Sequence, residues 1–493
     1  MIRTIQRDSA GGGAAVRLGA WLDRRAPLLL AATIAAYIVT FAILSGLKLA
    51  WFRQGFDMAG NEQVIWNTLH GRPFRTSIFA FMQYDFDDGP VLLELPLALL
   101  YGIYPSPYTL LALQTIALGL AAWPVYLLGR DLLPARWHAL ALALIYLLHP
   151  TTQHINMYEF QLRSFAIPFA LGALLFLRRA RLWPYALCLL LMMCTKTEAG
   201  FTLVAFGIYA LLLRRRWPFA AIPLVLGPLW VAVALGVIVP RFSQGDFIGS
   251  VYSYNQILPL LTDPVALIRL IGAPRKLTFV AQLLGLQAFL ALLSPIAILA
   301  LPILALSLIA PDRNVVQFSL FYQYPALIYP FLLVAAADGL ARLSGWLGRP
   351  PAARARWASA GVAALLAIAV VANLLLGNVV RGLAGNRETP ERAADARAII
   401  AQVPPGAALG ASTFLAPHLA QREQLYFFPG NGSYPLRYVE ERADYLVADR
   451  RPGGARPSPE QIQERDLLER FIQSGGWRLV RQAGDFVLLQ RQR

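Results

Sequence analysis

The chain has 493 residues, of which 57% are hydrophobic and only 15% charged, with a formal net charge of +16. A soluble protein of this size needs far more charge to cover its surface, so the composition excludes a soluble globular enzyme. Its basic clusters (Arg24-Arg25, Arg130 with Arg136, Arg178-Arg179 with Arg181, Arg214-Arg215-Arg216, and Arg342 to Arg356) fall at the ends of separate apolar runs. That placement marks a cytoplasmic side and argues against nucleic acid as a partner.

In chain order, residues 1–26 read as a cytoplasmic tail, followed by a first span from about Pro27 to Ala50. The stretch after it carries Asp57 and Glu62 among Trp51, Phe52, Phe56 and Trp66, an aromatic setting expected at a membrane–water boundary. Arg72, Arg75 and the acidic run Asp85-Phe86-Asp87-Asp88 complete this first external loop. Pro90–Ile103 is apolar but short, and counting it as a span would invert the basic loops, so it is expected to be interfacial or re-entrant.

Further spans are predicted near Pro107–Leu128, Trp137–Leu148, Phe165–Leu177, Trp183–Cys194, Ala199–Leu213, Phe219–Val239, Leu277–Leu293, Pro295–Ile309, Leu320–Leu340 and Ala358–Leu376. The fold class is therefore a membrane all-α protein with about eleven transmembrane helices, residues 27–377, plus interfacial helices in the first loop. Cys188 and Cys194 lie inside one apolar run and read as packing residues. Residues 378–493 change composition and read as a small soluble α/β domain on the external side. Its helices are expected at Pro390–Gln402 and Pro459–Gln473, with strands at Ala407–Ala411, Leu425–Phe428 and Tyr445–Ala448, and a hairpin in Trp477–Gln490.

Four stretches carry a family resemblance. Phe56 to Gly71 (FDMAGNEQVIWNTLHG) resembles the opening motif of the bacterial domain-of-unknown-function family 2079. Pro105-Ser106-Pro107-Tyr108 through Gln114 resembles its second hallmark, Thr195-Lys196-Thr197-Glu198-Ala199-Gly200 its third, and Ala443-Asp444-Tyr445-Leu446-Val447 a C-terminal one. The family is similar in layout to the C-type (GT-C) membrane glycosyltransferases, which use a polyprenyl-phosphate-linked sugar. The resemblance implies an inner-membrane, multi-pass protein that transfers such a sugar to a lipid, glycan or protein acceptor at the periplasmic face. It puts the acidic residue of the first external loop on Asp57 and a basic turn between later spans approximately on Lys196. Where the family is expected to show histidines, this chain carries Asp87 or Asp88, Gln161 and Gln323, which removes good transition-metal ligands.

Sugar transfer from a lipid phosphate needs a base, cations for the departing phosphate, and an apolar groove for the prenyl tail. Asp57 is the candidate base, with Glu62 to assist or orient it. The structural alternative for Asp57 is an N-cap on a helix starting near Met58. Lys196, with Glu198 beside it, is a phosphate candidate whose alternative is snorkelling to the interface. Arg163 is a second, and its alternative is an ion pair with Glu159 one turn earlier. Gln161, Arg75 and Trp66 complete the candidate substrate-binding set. Asp85, Asp87 and Asp88 offer oxygen ligands for Mg²⁺ or Mn²⁺, or form a plain acidic loop. His149 and His154 are separated by Pro150 and do not make a helical metal pair. A flippase of lipid-linked glycans and an inactive envelope scaffold remain the rival readings; charges gathered at one face and the lack of repeated halves weigh against transport.

Overall fold

The computed structural model describes residues 10–78, 91–242, 262–348, 350–377, 382–383, 388–429, 436–452 and 459–492. Helix α1 (Ala10–Ala50) is followed by α2 (Phe56–Leu69), α3 (Glu94–Tyr101), α4 (Pro107–Leu120) and α5 (Ala122–Leu132). Then come α6 (Arg136–Leu148), α7 (Pro150–Tyr158), α8 (Ala166–Arg178), α9 (Leu182–Met193), α10 (Ala199–Leu212) and α11 (Trp217–Val233). Among the described residues, five helical stretches are long and apolar enough to cross a membrane: 17–50, 107–132, 217–242, 324–347 and 351–377. Four shorter apolar helices, 136–148, 182–193, 199–212 and 295–309, pack among them.

The eight-residue α3 is too short to span a bilayer, as the charge pattern of its flanks requires. Two expected spans take another form. The run Leu277–Leu293 is broken: its helix ends at Gly285, Ala288 and Phe289 adopt left-handed backbone, and a 3-10 turn covers Leu290–Leu293. The run from Leu320 begins with a short 3-10 helix, Tyr324–Leu327, and becomes a long helix only at Tyr329–Leu347. Close packing is bought with small residues: a Cβ on Gly227 of α11 would lie 2.5 Å from the Gly200 carbonyl at the start of α10. That contact seats α11 against the first turn of α10, which follows directly on the turn that carries Lys196.

Beyond the bundle, five strands among the described residues form one sheet in the order β2-β1-β3-β5-β4: β1 (Leu409–Ser412), β2 (Leu425–Phe428), β3 (Tyr445–Asp449), β4 (Trp477–Ala483) and β5 (Phe486–Arg491). β1 runs parallel to β2 and β3, while β5 is antiparallel to both β3 and β4. β1 and β2 are buried along their whole length, which explains their nearly unbroken apolar sequences. One face of the sheet packs on the helix Pro390–Ile400 and also on Phe52, Ala59 and Ile78 of the first loop. The other face is covered by the helices Arg437–Arg442 and Pro459–Gln473 through Val439, Leu468 and Phe471. Helix α2 is thus a wall shared by the bundle and the sheet.

Candidate functional site

The site begins where α1 ends. The chain reverses through Phe52, whose φ is 54°, and α2 starts at Phe56 with Gly55 at its N-cap. Asp57 is therefore in the first turn and is not the cap. The cap comes from 101 residues away: Glu159 Oε2 accepts from the Met58 amide at 2.8 Å. A Cβ on Gly55 would sit 2.9 Å from Glu159 Oε1 and 3.2 Å from Thr413, so glycine is what lets the carboxylate reach the helix end. Asp57 Oδ2 accepts from Gln161 Nε2 at 2.7 Å, and Asn61 Nδ2 donates to the carbonyls of Asp57 (2.6 Å) and Phe160 (3.4 Å).

Residues 159–161, between α7 and the 3-10 turn Leu162–Phe165, are irregular, and the backbone from the end of α7 through them is held by side chains. Lys48 of α1 donates to the carbonyls of Met157, at 2.8 Å, and Tyr158. Gln114 of α4 donates to the Glu159 carbonyl at 3.0 Å. Burial, and after it the charge of Asp57, pushes the Glu159 carboxyl up to about 7, against the pull of Lys48 and the α2 amides. Burial also raises the Tyr158 phenol well above its ordinary value, and the carboxylates of Asp57 and Glu159 add to this. Tyr158, whose phenol feels the Asp57 charge, stands edge-on to Tyr322, ring centroids 5.2 Å apart, and both rings are partly exposed.

Two residues beyond Gln161, Arg163 Nε lies 2.6 Å from Glu198 Oε1, and the two side chains are only 4% and 8% exposed. The guanidinium also covers the Tyr324 ring, 4.9 Å from its centroid. The alternative pair with Glu159 does not form, because Gln161 is extended and a 3-10 turn begins only at Leu162, so no helical i,i+4 geometry exists. The Arg163–Glu198 pair joins this segment to the turn Thr195–Glu198 between α9 and α10, where Lys196 is half-buried. Asp57, Glu159, Gln161, Arg163, Glu198 and the Lys196 turn therefore meet at one end of the bundle, the end that bears the sheet.

Other expected residues lie apart from this group. Glu62 is five residues after Asp57, about 140° around the helix, and faces away. Its Oε1 accepts from Tyr101 Oη at 2.8 Å and from Gln421 Nε2 at 3.2 Å, and burial pushes its carboxyl up to about 8. Arg75 lies 3.9 Å from Glu423, and Trp66 packs on His70 and under Arg72. Asp85, Asp87 and Asp88 lie outside the described residues. Among the described residues no group of three His, Cys, Asp or Glu side chains could hold a metal. His149 caps α7 and His154 bonds the Leu376 carbonyl, so the two act separately.

Sequence reasoning passed over Lys48, Gln114, Tyr158, Tyr322 and Tyr324. Lys48 and Gln114 carried a usable signal, since each is a polar side chain inside an otherwise apolar run.

A family model described as "Predicted membrane protein (DUF2079)" matches residues 49–488. Among solved structures, the fold is similar to ArnT from Cupriavidus metallidurans bound to undecaprenyl phosphate, with a TM-score of 0.52 and 12% identity, covering 92% of this chain and 97% of that one. ArnT in the apo state gives the same TM-score of 0.52 at 14% identity, covering 92% and 98%. At such identities the likeness concerns the fold, which is GT-C-like. No curated protein matches the sequence.

Proposed function

Since the chain belongs to the DUF2079 family of membrane proteins and has a GT-C-like fold, we propose that it transfers a sugar from a polyprenyl-phosphate donor. The acceptor is the hydroxyl of a lipid, glycan or protein at the external, periplasmic face of the inner membrane. In this reading residues 27–377 form the transmembrane unit of about eleven spans and residues 378–493 its external domain.

The observation that carries the proposal is a pair of contacts made by one short segment. Gln161 holds Asp57, and two residues later Arg163 holds Glu198 in the Lys196 turn. A carboxylate and a basic turn, far apart in sequence, are thereby tied to the same end of the bundle. ArnT, bound to undecaprenyl phosphate, supports a lipid-phosphate partner for the same fold.

Asp57 takes the acceptor hydroxyl's proton as the oxygen attacks the anomeric carbon. The bond from that carbon to the phosphate oxygen breaks, and its electron pair leaves with the phosphate. Lys196 stabilises the charge that develops there, and Arg163 holds the turn that carries it through Glu198. Glu159 fixes the start of α2 and so the direction of the Asp57 carboxylate.

The test is a transfer assay on purified, reconstituted protein with a radiolabelled polyprenyl-phosphate sugar and membrane lipid as acceptor. Wild type is expected to label the acceptor and Asp57→Asn to fail while inserting normally. Undiminished transfer by Asp57→Asn would remove Asp57 as the base.

A further inference from the structure

A buried segment without regular structure must find partners for its backbone polar groups, because each one left unpaired costs free energy. At the end of α7 and through the irregular residues 159–161, the largest share of that work falls to one side chain, with Lys48 and Asn61 taking the rest. Gln114 of α4 is fully buried. Its Nε2 donates to the carbonyls of Asn156 (3.3 Å) and Glu159 (3.0 Å). Its Oε1 accepts from the Gln161 amide at 2.6 Å and from Ser164 Oγ at 3.3 Å. The next residue, Thr115, adds a bond from its Oγ1 to Asn156 Oδ1 at 2.9 Å.

The amide of Gln114 thus grips the chain on both sides of Gln161, and Gln161 in turn holds Asp57 Oδ2. The same segment continues into Arg163 and its bond to Glu198. We propose that Gln114 is a positioning residue of the site: acting through Gln161, it fixes the Asp57 carboxylate. Its importance for transfer rests on the function proposed above, whereas its hold on Asp57 does not. A leucine of similar volume would fill the space but leave the Gln161 amide and the Asn156 and Glu159 carbonyls without their partner.

The test compares wild type, Gln114→Leu, Gln161→Leu and the double variant as full-length protein in lipid nanodiscs. The reactivity of Asp57 toward a water-soluble carbodiimide and an amine is followed by peptide mass spectrometry. Loss of one hydrogen bond to the carboxylate is expected to speed labelling about tenfold in each single variant. The double variant should label no faster than either single one, because both act on one chain of contacts. Labelling at the exposed Glu423 should stay constant and so exclude general unfolding. Should Gln114→Leu not fold, Gln114→Glu keeps the oxygen that accepts from Gln161 and is expected to label at an intermediate rate.

Wild-type labelling of Asp57 in either Gln114 variant, or additive effects in the double one, would overturn the proposal. In the transfer assay Gln114→Leu should lower kcat by about a hundredfold with little change in donor KM. Lost transfer with unchanged Asp57 labelling would overturn the positioning role and leave the transferase reading intact. A wild type without transfer would overturn that reading, and the labelling comparison would still decide whether Gln114 positions Asp57.

Discussion

The two carboxylates of α2 are used in opposite ways. Asp57, at the helix start, is partly exposed and has its Oδ2 held by Gln161 from the bundle side. Glu62, five residues on, is fully buried and locked between Tyr101 and Gln421 at the seam with the sheet. Exposure leaves the first group open to solvent; burial makes the second a joint between the bundle and the sheet. Gln63 strengthens the same seam, donating to the carbonyls of Arg422 and Glu423 and accepting from Thr76 and the Ser77 amide. One helix thus keeps a partly exposed carboxylate on its bundle side and a buried one at the seam with the sheet, and a five-residue spacing is enough to separate them.

Each face can be broken by itself. The largest effect is expected from Asp57→Asn, with transfer lower by about 10²–10⁴-fold and an unchanged melting temperature. A large loss of stability in that variant would erase the distinction between the faces. Removing one partner of the buried pair, as in Glu198→Ala, should cost about 3–5 kcal/mol, read from denaturant or thermal unfolding. Wild-type stability there would mean that Arg163 is not held by Glu198.

On the other face, Glu62→Ala should lower stability by about 1–3 kcal/mol, since it strands the Tyr101 hydroxyl and the Gln421 amide. Transfer per folded molecule should survive, and its loss would move Glu62 into the reactive set. Lys196→Ala is expected to raise the apparent donor KM about tenfold, the value of one charge-assisted contact. An unchanged KM would separate Lys196 from the phosphate.

The finest distinction is a pH effect. Glu62 titrates near 8 in the folded protein against an ordinary value of 4.5. Its folded form therefore retains a proton that the unfolded chain gives up. Stability is full below about 4.5, falls as pH rises toward 8, and levels off above it. Glu159 adds a fall of the same sign, up to its own value of about 7. Glu62→Gln should therefore flatten the melting-temperature profile only in part, and an identical slope in wild type and variant would refute the neutral, buried state of Glu62.

The sheet was legible in the sequence because its signals are local. Leu425–Phe428 and Tyr445–Asp449 are short apolar runs between polar turns, and Pro459–Gln473 forms the helix its sequence predicts. Candidate residues could be named from the sequence, but their partners could not. The cap of α2 comes from Glu159 instead of Asp57, and Arg163 reaches forward to Glu198 instead of back to Glu159. Both contacts follow from the chain leaving helical geometry at residues 159–161, where Lys48, Gln114 and Asn61, all on other helices, bond its backbone. The break at Ala288-Phe289 was equally hidden, since its left-handed backbone carries no glycine to announce it.

The central claim is that a lipid phosphate binds where the Asp57 and Lys196 loops meet. A cryo-EM structure of the protein in nanodiscs with undecaprenyl phosphate tests it most directly. The phosphate is predicted between the start of α2 and the Thr195–Glu198 turn, with the prenyl chain running down the side of the bundle. A phosphate seated at the opposite end of the helices, or in the Glu62–Gln421 seam, would contradict it.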